Sequence, residues 1–280
     1  MVDTLLCGRF ELVLKRPLVM GIVNTTPDSF SDGGLHDAPE QAIAHAWQLL
    51  EAGADILDIG GESTRPGAQP VAAAEELERV LPVVRALQGA GVPLSVDTCK
   101  PEVMRRVLDA GADMINDIAG FSTPEAVAAV AQSDCGLCVM HMQGEPRTMQ
   151  QAPVYQDVVH DIAAMLAQRV AALEAAGVAR ERICLDPGFG FGKTADQNYE
   201  LLHRLPELLT AGMPLLVGLS RKTMIGAATG RPVTERMAGS IAGALACVAR
   251  GAKIIRVHDV AATRDALNVW LAAEQGSISK

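Results

Sequence analysis

Aromatic residues are scarce, at 3% of the chain, with two Trp, two Tyr and five Phe among 280 residues. A core built from this composition packs through aliphatic side chains. Basic charge is also short: 24 Lys and Arg stand against 33 Asp and Glu, a formal net charge of -9. That balance argues against broad nucleic-acid binding, which needs a basic face. It also requires any anionic substrate to be drawn by a locally basic site against the global field. No uninterrupted apolar run approaches the roughly 18 residues of a membrane span. The longest weakly polar stretch, Met237 to Ala249, contains Gly and Ser. The N-terminus shows no basic segment followed by an apolar run and a small-residue cleavage site. These absences lead to the expectation of a soluble, cytoplasmic protein.

Cysteines are few and scattered: Cys7, Cys99, Cys135, Cys138, Cys184 and Cys247. Four lie in or beside apolar runs, which reads as free thiols in a reducing compartment. Cys135 and Cys138 have CxxC spacing, but no second pair follows and they open an apolar strand. No His/Cys/Asp cluster has zinc spacing, and no Ser–His–Asp signature is present. There is no low-complexity linker, so residues 1–280 read as a single domain.

What the chain does have is a rhythm. With 49% hydrophobic residues, it repeats a short apolar run followed by a helical pattern. The strand candidates are Leu18–Val23, Asp55–Ile59, Pro93–Val96, Asp113–Ile115, Leu137–Met140, Arg182–Leu185, Pro214–Val217 and Lys253–Val257. The segments between them carry 3.6-residue periodicity, as from Glu40 to Gly53. Gly53, Gly91, Gly111, Gly177, Gly212 and Gly251 each stand just before the next strand, where a helix exits through a left-handed residue. Eight β-then-α units predict parallel strands with right-handed crossovers closing into a (β/α)8 TIM barrel. A doubly wound open sheet is the alternative, but no Gly-x-Gly-x-x-Gly turn supports it. Leu5–Cys7 and Phe10–Leu14, around Gly8-Arg9, predict a hairpin that caps the barrel's N-terminal end.

In such a barrel the active site lies at the C-terminal ends of the strands. Here those ends are Asn24, the run Gly60 to Gly67, Asp97-Thr98, Asn116-Asp117, His141, Asp186-Pro187-Gly188, Ser220-Arg221-Lys222 and His258-Asp259. Singly, each has a structural explanation: Asp117, Asp259 and Thr98 suit helix caps, and His141 a satisfied supporting position. Jointly they have chemical direction. Asp97, Asn116 and Asp186 arise on three strands and suit the N–H edge of a planar heterocycle. Lys222, Arg256 and His258, with Asn24, suit an anion. Lys222 follows its strand rather than lying within the apolar end, which disfavours a Schiff base.

The motifs that carry these residues are long. Met20 to Asn24 with Thr25 to Gly34, Gly60-Gly-Glu-Ser-Thr-Arg-Pro-Gly67, Ser95-Val-Asp-Thr98, Asn116-Asp-Ile118, Asp186 to Lys193, Gly218-Leu-Ser-Arg-Lys222 and Ile255 to Asp259 resemble dihydropteroate synthases in order. The likeness spans about Leu18 to Leu267. It implies a (β/α)8 barrel that joins p-aminobenzoate to 6-hydroxymethyl-7,8-dihydropterin pyrophosphate in folate biosynthesis, the kind of enzyme sulfonamides target. It further implies that Asn24 binds Mg²⁺ associated with the pyrophosphate. Asp97, Asn116, Asp186 and Lys222 would hold the pterin. Arg256 and His258 would bind the diphosphate, with Thr64 near both substrates. Arg65, Pro66, Phe191 and Ser220 would help form the p-aminobenzoate site, and the last helices would form a homodimer.

Departures from the family pattern are small and fall at Thr25, Cys99 and Thr223. The implied chemistry is an SN1-like transfer in which Asp97 stabilises a pterin cation and Lys222 assists. Thr25–Gly34 would form a lid that excludes water. Two other readings, a pterin-dependent methyltransferase and a non-catalytic pterin-binding paralogue, explain less. The first needs no diphosphate site. The second would be marked by loss of Asn24, Arg65, Lys222 or His258, all of which are present.

Overall fold

The computed structural model describes residues 4–26, 38–64, 67–145, 148–150 and 153–278. Most of the expected lid, residues 27–34, lies outside the described residues, as do Arg65 and Pro66.

Eight parallel strands form the barrel: β3 (Leu18–Asn24), β4 (Ile56–Gly60), β5 (Leu94–Asp97), β6 (Met114–Asp117), β7 (Gly136–Met140), β8 (Ile183–Asp186), β9 (Leu216–Val217) and β10 (Ile254–Val257). Each pairs with its sequence neighbour from β3 through β8, and β10 lies between β9 and β3. The remaining seam is closed by a parallel bridge between Leu185 and Leu215, with Leu185 N–H donating to Pro214 O at 2.9 Å.

Around the barrel run α1 (Ala38–Glu51), α2 (Ala73–Ala86), α3 (Pro101–Asp109), α4 (Pro124–Val130), α5 (Val158–Ala175), α6 (Ala195–His203), α7 (Thr223–Thr229), α8 (Met237–Val248) and α9 (Val260–Gln275). Their boundaries follow local chemistry. Asp157 accepts from the N–H groups of Val159 and His160, both at 3.0 Å, to start α5. Thr194 and Gln197 form a reciprocal capping box at α6. All six glycines expected before strands have φ between +71° and +99°, the region in which a residue lacking Cβ ends a helix without strain.

Barrel strands alternate between two environments. Val19, Val23, Leu57, Ile59, Leu94, Val96, Ile115, Leu137, Val139, Ile183, Leu185, Val217, Ile255 and Val257 join the core shared with the helices. The other parity points inward. There Leu18, Met20, Ile56, Met114, Cys138, Cys184, Leu216 and Ile254 form a closed apolar layer together with Leu5, Cys7 and Leu14. Those last three come from the N-terminal hairpin, β1 (Thr4–Cys7) and β2 (Phe10–Val13), paired antiparallel. The hairpin therefore caps the N-terminal end, as its sequence led us to expect. The fit is close: a Cβ on Gly136 would meet Cys7 Sγ at 3.0 Å and Leu6 O at 3.2 Å. Arg9 adds a two-pronged bond to Asp113, at 2.8 and 2.9 Å.

Five barrel strands run further than their apolar residues suggest, taking in Asn24, Gly60, Asp97, Asp117 and Asp186. An apolar run stops where polarity begins, but the hydrogen-bond ladder does not. The polar residues are thereby fixed on strand backbone, with their direction set by the pleat.

Candidate active site

Two residues up four of the strands from the apolar layer, the barrel interior changes character. Ile56 is followed by Asp58, Met114 by Asn116, Cys184 by Asp186 and Ile254 by Arg256. Period-two alternation thus stacks a polar layer directly on an apolar one. Asp58, Ser95 and Asn116 are buried at 0%, 0% and 3% exposure, and Asp97 and Asp186 are only slightly more open. Buried charges at this depth demand partners.

Arg256 supplies the largest share. Its Nε donates to Asp58 Oδ2 at 2.6 Å and its Nη2 to Asp97 Oδ2 at 2.9 Å. Asp58 also accepts from Ser95 Oγ at 2.6 Å and Asn116 Nδ2 at 3.2 Å. Arg256 therefore stands with the carboxylates, whereas strand-end order alone grouped it with Lys222 and His258. Asn116 uses its amide nitrogen on Asp58, and its Oδ1 is buried without a hydrogen-bond partner. An orphaned acceptor in a wall of carboxylates favours a ligand that brings N–H donors.

The electrostatics follow from this crowding. Burial raises the Asp97 carboxyl to about 7, with Asp58, Glu76 and Asp117 adding to the rise and Arg256 opposing it. Burial raises Asp186 as well, against the pull of Lys222 and of a 2.7 Å bond from Gly188 N–H. On the cationic side, burial lowers Lys222 to about 8, with Arg256 reinforcing the effect and Asp186 and Asp97 opposing it. Lys222 donates to Phe189 O and lies 4.4 Å from the centre of the Phe191 ring. Arg256 itself is held above the ordinary guanidinium range, because its carboxylate partners outweigh burial.

The remaining strand ends complete the rim. Ser220 and His258 are joined by a 3.1 Å contact between Oγ and Nδ1, and His258 N–H donates to the same hydroxyl at 3.3 Å. Asn24 ends β3, half-buried, beside Gly60 on β4. Thr64 lies in the β4–α2 loop, which is anchored through Glu62 to Lys100 and to Val71 N–H, and through Gly61 O to Arg79. Of the residues expected to act as caps, Asp117 accepts from Ala119 and Phe121 N–H at 2.8 and 2.7 Å. Thr98 accepts from Lys100 N–H, while Asp259 instead pairs with Arg221. His141 is buried against Lys193, at 3.1 Å. Among the described residues no group of three or more His, Cys, Asp or Glu side chains is arranged to hold a metal ion. No described helix is long and apolar enough to cross a membrane.

Sequence reasoning missed Asp58, Ser95, Phe189 and Lys193 as members of this assembly. Asp58 carried a readable signal, since it is the lone charge within Ile56-Leu-Asp-Ile59 and shares strand parity with the inward Ile56. Ser95 stands two residues before Asp97 for the same reason.

The wider likeness of the chain agrees with this geometry. Residues 20–258 match the family model described as pterin binding enzyme. Dihydropteroate synthase of Neisseria meningitidis serogroup C is 56% identical over 268 residues, covering 94% of this chain and 95% of that protein. The crystal structure of Burkholderia cenocepacia dihydropteroate synthase complexed with 7,8-dihydropteroate superposes with a TM-score of 0.90 at 55% identity, covering 98% and 97%. The Xanthomonas albilineans dihydropteroate synthase with 4-aminobenzoic acid gives a TM-score of 0.93 at 52% identity, covering 98% and 99%. A TIM barrel whose mouth is lined by these residues, matched over nearly its full length, belongs to the dihydropteroate synthase family.

Proposed function

We propose that this protein condenses (7,8-dihydropterin-6-yl)methyl diphosphate with p-aminobenzoate, giving 7,8-dihydropteroate and pyrophosphate in folate biosynthesis. The single observation within the site that carries the reading is the orphaned Oδ1 of Asn116, buried between Asp97 and Asp186 strands and short of a donor. A pterin edge offers N–H groups to Asn116, Asp97 and Asp186, and Lys222 can donate to a pterin acceptor.

The reaction breaks the bond between the pterin methylene carbon and a diphosphate oxygen. It forms a bond from that carbon to the arylamine nitrogen, which then releases a proton. An SN1-like course leaves a cation delocalised into the dihydropterin. Asp97, held in place by Arg256, which Asp58 also binds, would stabilise it as a carboxylate that is charged above about pH 7. The arylamine needs no strong base to attack such a centre. His258, steadied by Ser220, and Arg256 assist departure of the diphosphate. Phe191, Ser220 and Thr64 border the p-aminobenzoate position, and Arg65 and Pro66, which follow Thr64 in sequence, are assigned to it by family resemblance alone.

Mg²⁺ fits the rim. Asn24 presents a neutral amide oxygen at the end of β3, and this ion commonly takes one or two protein ligands while substrate phosphates and water fill the rest. When bound, Mg²⁺ would offset charge on the diphosphate. A homodimer through α8 and α9 is supported by exposed Met237 and Val269 on those helices. A cytoplasmic setting is supported by six free cysteines, five of them buried.

Pyrophosphate release tests the reading. It should require both the pterin diphosphate and p-aminobenzoate, with stoichiometric 7,8-dihydropteroate formed. Release that proceeds with the pterin diphosphate but is indifferent to p-aminobenzoate would overturn it.

A further inference from the structure

We infer that Lys193 is a positioning residue: its buried amine locks the loop after β8 so that Phe189 and Phe191 hold Lys222 in place. The inference rests on the reading of Phe191 and Lys222 as substrate-binding residues.

The loop Gly188-Phe-Gly-Phe-Gly-Lys193 alternates glycines at φ +69°, +82° and +62°. Gly188 and Gly192 pass so close to the β7 end that a Cβ would come within 1.9 Å of His141 O and 2.5 Å of Gln143 O. This winding turns the carbonyls of Gly188 and Phe191 toward one point, and Lys193 Nζ occupies it. It lies 2.8 Å from Gly188 O, 3.0 Å from Phe191 O and 3.1 Å from His141 Nδ1. Burial lowers the Lys193 amine to about 7, with Lys222 adding to the fall and Asp186 opposing it. In its protonated form it has three N–H donors, and here they meet three acceptors. Lys193 is 2% exposed. Burial disfavours the charged amine, and a well-packed apolar side chain in such a place is often no less stable. What an apolar side chain could not do is tie both carbonyls together.

The other contacts of the loop serve the same end. Tyr155 Oη donates to Gly192 O at 2.7 Å and Gln150 Nε2 to Gly190 O at 2.5 Å, while Gly190 N–H donates to Asn198 Oδ1 at 2.7 Å. Only the Phe189 carbonyl turns toward the mouth, and it accepts from Lys222. The Phe191 ring lies beneath the same amine. Both contacts that seat Lys222 thus come from a loop whose shape Lys193 sets. Burial and the neighbouring Lys193 charge push His141 down to about 3, leaving Nδ1 a neutral acceptor near pH 7.

Steady-state kinetics on the full chain tests this, with Lys193→Met, Phe191→Leu and the double variant. Lys193→Met should raise KM for the pterin diphosphate, which Lys222 holds, and for p-aminobenzoate, which Phe191 borders, each by roughly tenfold, within the range for directly coupled neighbours. In the Phe191→Leu background the same change should add less than about twofold, because the seat it supports is already lost. A residue that merely supports stability would lower the active fraction and leave KM unchanged in both backgrounds. That result, or an equal rise in KM in both, overturns the inference. If Lys193→Met does not fold, Tyr155→Phe releases the same loop at Gly192 O. It should raise KM in the parent and not in Phe191→Leu, and an unchanged KM in the parent overturns the inference equally. Phe191→Leu alone separates the two levels. If it leaves KM for p-aminobenzoate unchanged, the site reading fails first and the inference falls with it. If it raises KM while Lys193→Met does not, only the inference fails.

Discussion

Arg256 on the last barrel strand donates to Asp97 on the third, Nη2 to Oδ2 at 2.9 Å, across the mouth of the barrel. This bond spans 159 residues of sequence and couples the proposed cation-stabilising carboxylate to a guanidinium already held by Asp58. Asp97 is thus kept in one orientation before substrate arrives, which is the condition for electrostatic stabilisation without reorganisation.

Replacing Asp97 with Asn should preserve shape and remove charge. We expect kcat to fall by about 10²–10³, the usual cost of one preorganised electrostatic group. Because the carboxyl is raised to about 7, it is protonated below that pH. The parent's kcat/KM should therefore climb as pH rises through about 7, and the climb should be absent from Asp97→Asn. A pH–rate profile of both proteins between pH 5.5 and 8.5, roughly the window around that value, checks this.

The same residue should leave a mark on stability. In the unfolded chain Asp97 titrates near 3.8, and in the fold near 7, so between those values the folded state binds the extra proton. Stability from this group is full below the lower value and is lost as pH rises through the upper one. Asp97→Asn stays neutral throughout and loses nothing. The Tm of the variant minus that of the parent should therefore move upward from pH 4 to pH 8, as followed by thermal melts.

Asp58 is the structural keystone of the polar layer. Asp58→Ala leaves Arg256, Ser95 and Asn116 without their shared acceptor, and breaking a buried ion pair costs about 3–5 kcal/mol. Ser95→Ala alone should cost about 1 kcal/mol, the net worth of one hydrogen bond. Urea denaturation of the two single variants and the double should give a clearly sub-additive sum, because the serine has nothing to bond once the carboxylate is gone.

At the opposite end, Leu5→Ala opens a cavity in the apolar layer that the hairpin shares with the barrel. A loss of about 2–5 kcal/mol is expected for a fully buried leucine. KM for either substrate should hold steady at a temperature where the variant is folded, since the N-terminal face of such a barrel contributes stability rather than chemistry.

Much of this architecture is legible in the residues themselves. Apolar runs punctuated by glycine located every barrel strand to within one or two residues, because both features arise locally. The ends of those strands pointed to Asp97, Asn116, Asp186 and Lys222 because the fold confines function to one face. Asp58 was hidden by its apolar surroundings, where a strand parity of two, rather than polarity, was the available clue. The Arg256–Asp97 bond could not be read at all, since it depends on which strands closure brings opposite one another. The same holds for Lys193, whose three acceptors come from a glycine-wound loop and from a different strand.

The hairpin has a further consequence, for traffic. With β1 and β2 sealing one end and apolar side chains filling the barrel above them, access to the polar layer among the described residues is from the C-terminal end. A ligand seated on Asn116 and Asp186, both buried, would lie deeper than one at the half-buried His258, so the deep position would have to fill before the rim.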